Sequence, residues 1–413
     1  MFCGSTYPHE EPEIHNQTMK KIRWTTFLLL LLGAPYLPVA ATEATATISF
    51  YTTALPVQYH TDLLTPECAG VHEKSIVQFY QQLEKTNYRI LLNDLLQKKE
   101  ALSLNDWLFY RLVHQSVVTI FQHKSPVEQG LLGWFLLSQA GFDTRLTYFE
   151  QEVFLYVHST DQIFEVPLIQ DQDKIYVNLR PNHSSAQKNS ESPLYMLNFV
   201  ARPDGRAFSF YLREPPRLPA QPTTRKVTFP WQGQPLSLDI QYDKTLVELM
   251  KTWPLVDETV YLKFPMSEVL TQSLLPQFRD LLRDKTPRQS VELLLAFTRS
   301  AFDYKEDTEY FGRSKPMVTD EVFFYPYSDC EDRSALFFNL VKNLLDLPMI
   351  VLAFPNHLTI AVAIDETLPG AVITHEGQRY YVCDPTGPVN SSEIGVFPRE
   401  YEESPFEVIL SYR

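Results

Sequence analysis

Twice, 205 residues apart, a helix-spaced apolar run passes straight into strand-like runs, and a chain built that way must combine packed helices with sheet. The first passage is VEQGLLGWFLLSQAGFDTRLTYF, from Val127 to Phe149, and the second is DRSALFFNLVKNLLDLPMIVLAF, from Asp332 to Phe354. The same subtraction sets IYVNL, ending at Leu179, against YYVCD, ending at Asp384. The likeness is of pattern and not of identity. Helix followed by paired strands also recurs without common descent, so duplication and coincidence both stay open. Thirty prolines against thirteen glycines add extended segments and Pro-stopped elements, and the class expected is α+β.

Three regions follow from the periodicities. Residues 42–193 read as an N-terminal α+β domain: helical spacing runs from Ile76 to Gln122, a further helix ends at Gly141, and RLTYFEQEVFLYVHS, QIFEVPLI and KIYVNL have strand composition. The Ser- and Asn-rich tract RPNHSSAQKNSESP, Arg180 to Pro193, marks a boundary. Residues 194–265 change to short alternating runs, LYMLNFVA, AFSFYLRE, KVTFPW, LSLDIQY and TVYLKFP, expected as a central antiparallel β module. Residues 266–413 open with two helical patterns and end in strands.

Ahead of these, MKKIRWTTFLLLLLGAPYLPVAATEA has a basic start, an apolar run and small residues at Val39, Ala40 and Ala41, the layout of a secretory signal peptide. Met19 then reads as the start, residues 1–18 as a spurious leader, and the protein as exported, to the periplasm or the extracellular space. The apolar run is short for a membrane span and is broken by Pro35 and Pro38, so none is expected after cleavage. Discarding Cys3 leaves Cys68, Cys330 and Cys383, an odd number, so at least one thiol is free; a Cys68–Cys383 disulfide stays open. The formal charge of −14 argues against nucleic acid as a partner, because no cluster of Lys and Arg stands ready to replace phosphate counterions.

The chemistry-bearing stretch is SDCEDRSALFFNLVKNLLDLP, Ser328 to Pro348, in which a cysteine sits among acids at the head of an apolar helix pattern. Ser328 as N-cap with Glu331 three residues on would make a capping box, placing Cys330 in the first turn where free amides lower a thiol pKa. The next strand pattern begins at His357. Alternation puts His357 with Thr359, Ala361 and Ala363 on a small face able to press on a helix. On the strand after that, Tyr380, Val382 and Asp384 share one face, with Pro385 as the stop. Cysteine, histidine 27 residues on and aspartate 27 beyond that are the parts of a nucleophile, base and orienting acid. Each residue also has a plain reading: a packed thiol, a surface histidine, a turn-forming Asp-Pro. A metal site built from the same three residues lacks a second soft ligand, and neither metal nor cofactor is expected.

With FDY, YPYSDCEDRSALFFNLV, FPNHLTIAV and YYVCDPT in view, the chain resembles the transglutaminase-like superfamily, in particular its secreted bacterial members, over roughly Thr286 to Gly395. The resemblance implies a papain-like C-terminal domain with Cys330 as nucleophile, His357 as base and Asp384 as orienting acid, and Tyr304 shaping the cleft. It implies a cysteine hydrolase or acyltransferase acting on amide or peptide bonds of a protein or peptide substrate through a thioester. Tyr325 and Tyr327, just before the nucleophile, are candidates for substrate or oxyanion contacts. His357 is followed by Leu-Thr in place of the family's aromatic run. Under the shift of 205, Ser125, Glu152 and Leu179 occupy the triad positions, so the N-terminal domain would be a degenerate copy without catalytic residues. The alternative function is a non-catalytic scaffold or peptide-binding envelope protein.

Overall fold

In the computed structural model, which describes residues 42–179, 194–388, 391–396, 401 and 403–413, the two echoing passages fold into two sheets of the same strand order. The first pass starts with the hairpin β1 (Glu43–Phe50) and β2 (Thr53–His60). Helices α1 (Glu73–Glu84), α2 (Tyr88–Ala101), α3 (Asp106–Ile120) and α4 (Pro126–Gln139) come next. Strands β3 (Thr144–Phe149), β4 (Glu152–His158), β5 (Leu168–Asp171), β6 (Lys174–Asn178) and β7 (Tyr195–Met196) then form an antiparallel sheet in the order β5-β6-β4-β3-β7.

The second pass repeats this plan with insertions. A hairpin of β8 (Pro222–Trp231) and β9 (Gln234–Asp243) leads to α5 (Lys244–Met250), α6 (Glu258–Lys263), α7 (Glu268–Leu282) and α8 (Pro287–Ser300). Short elements follow: β10 (Asp303–Tyr304), α9 (Asp307–Tyr310), α10 (Thr319–Phe324) and β11 (Tyr327–Ser328). Helix α11 (Cys330–Leu344) then feeds β12 (Met349–Phe354), β13 (His357–Val362), β14 (Val372–His375), β15 (Gln378–Val382) and β16 (Glu407–Tyr412). Their order is β14-β15-β13-β12-β16. Met349 and His357 open β12 and β13 205 residues after Thr144 and Glu152 open β3 and β4.

Local chemistry accounts for these element ends. Helices α4 and α8 begin alike: Ser125 and Thr286 accept from the backbone of Glu128 and Gln289, whose side chains reach back, and Pro126 and Pro287 sit where no N–H is needed. The loop of the second hairpin, Gln232-Gly233, has positive φ at both residues, the backbone that matches the right-handed twist of paired strands.

Two large cores result. One joins α1 to α4 with the first hairpin and one face of the first sheet; the other joins the second hairpin, α7, α8 and α11 with β12 and β13. Residues 194–265 divide between them: Phe208, Phe210 and Trp253 belong to the first, Val227, Phe229 and Ile240 to the second. Two strand expectations fail within that stretch. TVYLKFP is the helix α6, started by Asp257, whose carboxylate accepts from Thr259 N (3.0 Å). AFSFYLRE buries alternate residues as a strand would but joins no ladder, because side chains satisfy its backbone: Asp161 Oδ2 accepts from Phe210 N (2.6 Å), and Asn105 Nδ2 donates to Tyr211 O (3.1 Å).

Among the described residues no helix is long and apolar enough to cross a membrane. The expected leader, signal segment and Ser/Asn-rich boundary lie outside the described residues. Cys68, Cys330 and Cys383 are all unpaired.

Candidate active site

The start of α11 differs from expectation by one residue. Asp329, not Ser328, is the N-cap, and its N–H donates to Asp332 Oδ2 at 3.1 Å. Ser328 is taken by another partner: its hydroxyl accepts from Arg333 Nε (3.1 Å), and the guanidinium continues to the carbonyls of Phe302 (2.7 Å) and Arg299 (3.3 Å). Glu331 is therefore not needed at the cap. It turns to the nucleophile position, where Cys330 Sγ donates to Glu331 Oε2 at 2.8 Å.

The Leu358 backbone N–H is near enough to the sulfur to favour its thiolate a little, which sets the sulfur near the first residues of β13. The face of β13 that meets α11 is the apolar one: Leu358, Ile360 and Val362 share a core with Leu336, Phe337 and Leu340, while Ala361 joins Ile350, Phe354 and Tyr380 on the opposite face. The small face of β13 thus does not receive the helix, because bulky residues fill the gap to α11. His357 makes no hydrogen bond to Cys330; its ring stacks on Tyr401 with centroids 4.8 Å apart and an interplanar angle of 12°.

His357 and Asp384 do meet. Nε2 of His357 lies 3.1 Å from Asp384 Oδ2, and the other carboxylate oxygen accepts from Thr386 N (3.0 Å) and Thr386 Oγ1 (2.7 Å). Burial favours a proton on Asp384, yet His357 and Thr386 outweigh it and hold the carboxyl below its ordinary value. With Nε2 committed to the carboxylate as donor, Nδ1 is the ring atom left to accept a proton. Asp384 is fixed from behind by the buried Arg299, whose Nε donates to the Asp384 carbonyl (2.8 Å) and whose Nη1 donates to Glu393 O (3.2 Å). A Cβ at Gly387 would come within 3.0 Å of the Arg299 guanidinium, so residue 387 has to stay small for that packing.

The resting thiol is not activated by its helix start. Burial and then Glu331 push the Cys330 pKa far above that of an ordinary thiol, against the sequence expectation of a lowered one. Cys330 is 6 % exposed, so its thiolate is poorly solvated, and the neighbouring carboxylates outweigh the amides of one helical turn.

The other predicted residues stand around this centre. Tyr327 lies on β11 directly before the cap, its ring 5.1 Å from that of Tyr310 with Lys305 Nζ 5.2 Å above it. Tyr325 is buried against Phe311 and Phe324, and its carbonyl accepts from Arg225 (2.8 Å). Tyr304 pairs with Ser328 through β10 and β11, is 45 % exposed, and donates its hydroxyl to Glu306 (2.6 Å). Sequence reasoning missed Arg299 and Arg333, and gave Glu331 to the cap instead of to the thiol. Two arginines inside apolar helix patterns were the available sign, since a buried guanidinium has to be answered by carbonyls or acids.

Asp307, Asp329 and Asp332 bring carboxylate oxygens within 4.8 Å of one another, close enough to share a cation. Burial, compounded by their neighbours' charge, raises all three pKa values, Asp307 to about 6 and Asp329 to about 8. Backbone donors already take several of the oxygens: Lys315 N on Asp307, Asp307 N on Asp329, and Met317 N on Asp332. Cap and cluster together tie the 303–318 segment to the start of α11.

No family model matches this chain, and neither a curated protein nor a solved structure resembles it to a significant degree.

Proposed function

We propose that the chain is a transglutaminase-like cysteine hydrolase or acyltransferase with a papain-like catalytic unit, exported, and acting on amide or peptide bonds. The observation that carries this reading is the His357–Asp384 bond through Nε2, made at the start of β13. Once Glu331 releases the thiol, Nδ1 of His357 takes its proton and the sulfur attacks the substrate carbonyl. Collapse of the tetrahedral adduct breaks the C–N bond, and the imidazolium returns the proton to the leaving amine. Water or a second amine then attacks the thioester, with His357 as base, giving acid or a new amide and restoring the thiol. The Cys330 backbone N–H is one oxyanion donor in this scheme.

The test is mass spectrometry of the protein incubated with a library of peptides carrying glutamine and ordinary peptide bonds. Cleaved or transamidated products and an acyl mass on Cys330 are expected, with turnover lowered on the order of a thousandfold or more in Cys330→Ala and His357→Ala. Absence of turnover and adduct from pH 5 to about 9 sinks the reading. A second reading, a scaffold that retains the triad without chemistry, is favoured by the thiol's bond to Glu331 and its slight exposure. It predicts peptide binding that Cys330→Ala leaves intact and no adduct.

A further inference from the structure

We propose that the cleft between α3, residues 163–166 and residues 251–255 is a binding site for an acidic peptide, whose carboxylates pair with Arg111 and Arg313. The inference does not depend on acyl transfer. Cys330 is not among the residues that line the cleft, which encloses about 550 Å³, ample for two or three side chains.

Three observations point to that occupant. First, the lining carries Arg111, Lys251 and Arg313 against a single carboxylate, Glu165, in a chain whose formal charge is −14. A cationic concavity on an acidic protein focuses the field on an anionic ligand. Second, among the described residues neither guanidinium forms a salt bridge, although the charge of Asp307 reaches Arg313. Arg111 lies with Cζ 6.0 Å from the Trp107 ring centroid, and Arg313, exposed, donates to the neighbouring Ser314 carbonyl at 3.2 Å. Lys251, by contrast, is paired with Glu248 at 2.7 Å. Planar forks held in no salt bridge match carboxylates two bonds at a time.

Third, the site has apolar walls. Trp107 and Trp253 are buried behind it, and Phe164 is 47 % exposed at its rim. A smaller cleft of about 300 Å³ shares Arg111 and Thr252 and runs to the Tyr51–Thr52 turn of the first hairpin. The smaller cleft adds the carboxylate Glu248 and no further cation, so the acidic residues of the peptide are read by Arg111 and Arg313 and its apolar residues by the aromatic walls beside them.

The test uses the full chain carrying Cys330→Ala, so that binding is read without turnover and stands whether or not the catalytic reading does. A fluorescein-labelled peptide of alternating glutamate and leucine is titrated and followed by anisotropy. Binding is expected, weakening with salt, and falling about tenfold or more in Arg111→Gln/Arg313→Gln while Arg111→Lys/Arg313→Lys retains part of it. Should the double variant not fold, Arg313→Gln on its exposed loop serves alone, with a loss of about threefold or more. The proposal is overturned if the peptide does not bind, if the glutamine analogue binds equally, if the variants bind as the parent does, or if polygalacturonate displaces the peptide and binds more tightly.

Discussion

At the scale of single residues, Glu331 sets the state of the nucleophile. It is bonded to the thiol at 2.8 Å, and after burial it is the largest reason for the raised Cys330 pKa. Glu331→Gln removes that charge and keeps the shape. Alkylation of Cys330 by iodoacetamide at pH 7.5 should be slow in the parent and about tenfold faster in the variant, one pKa unit being a tenfold change in thiolate. Equal rates would show that burial alone holds the proton. The contact between His357 and Asp384 was legible in part: alternation groups His357 with Ala361 and Asp384 with Val382, and the pairing of Ala361 with Val382 brings the two sets to one face. The cap was misread by one residue because both Ser and Asp cap helices; Arg333, whose path to Ser328 exists only in the fold, decides between them.

At the scale of elements, the acids around the start of α11 make stability pH-dependent. Asp307 and Asp329 titrate at about 6 and about 8 when folded, above the ordinary carboxyl value of 3.8, so between these limits the folded chain holds more protons than the unfolded one. Their contribution is therefore most favourable at the acid end and is lost as pH rises towards 8. Asp384 has the opposite sign: its lowered pKa contributes stability above the ordinary value, and that is lost as pH falls through the folded one. Asp329 also has Oδ1 buried without a hydrogen-bond partner. Asp329→Asn should melt a few degrees higher than the parent at pH 8 and show a smaller gain at pH 5, by calorimetry. A gain equal at both pH values would show that proton linkage is not the cause. The 207–214 segment was not legible, since alternate burial reads the same whether a ladder or side chains such as Asp161 complete the backbone, and α6 was not, since its strand-like composition is overridden by the Asp257 cap.

At the scale of the whole molecule, the 205-residue echo was legible because helix and strand lengths persist where identities do not. The role of residues 194–265 was hidden, since their core partners lie far away along the chain. In the first pass Ser125 caps α4 and is exposed, and Glu152 opens β4 where His357 opens β13. A thiol placed there has no imidazole opposite it. Ser125→Cys in a Cys330→Ala background should alkylate at the rate of free cysteine and restore no turnover; rescue of activity would mean that the first pass retains a working centre.

Strand β16 lies against β12, yet along the chain it comes only after β13, β14 and β15. Until that segment emerges, β12 keeps a bare row of amides and carbonyls along Met349–Ala353, an invitation to any other chain with an unpaired edge. Timing of synthesis thereby becomes a solubility hazard, and a chain cut before Glu407 is expected to clump where the intact one stays dispersed.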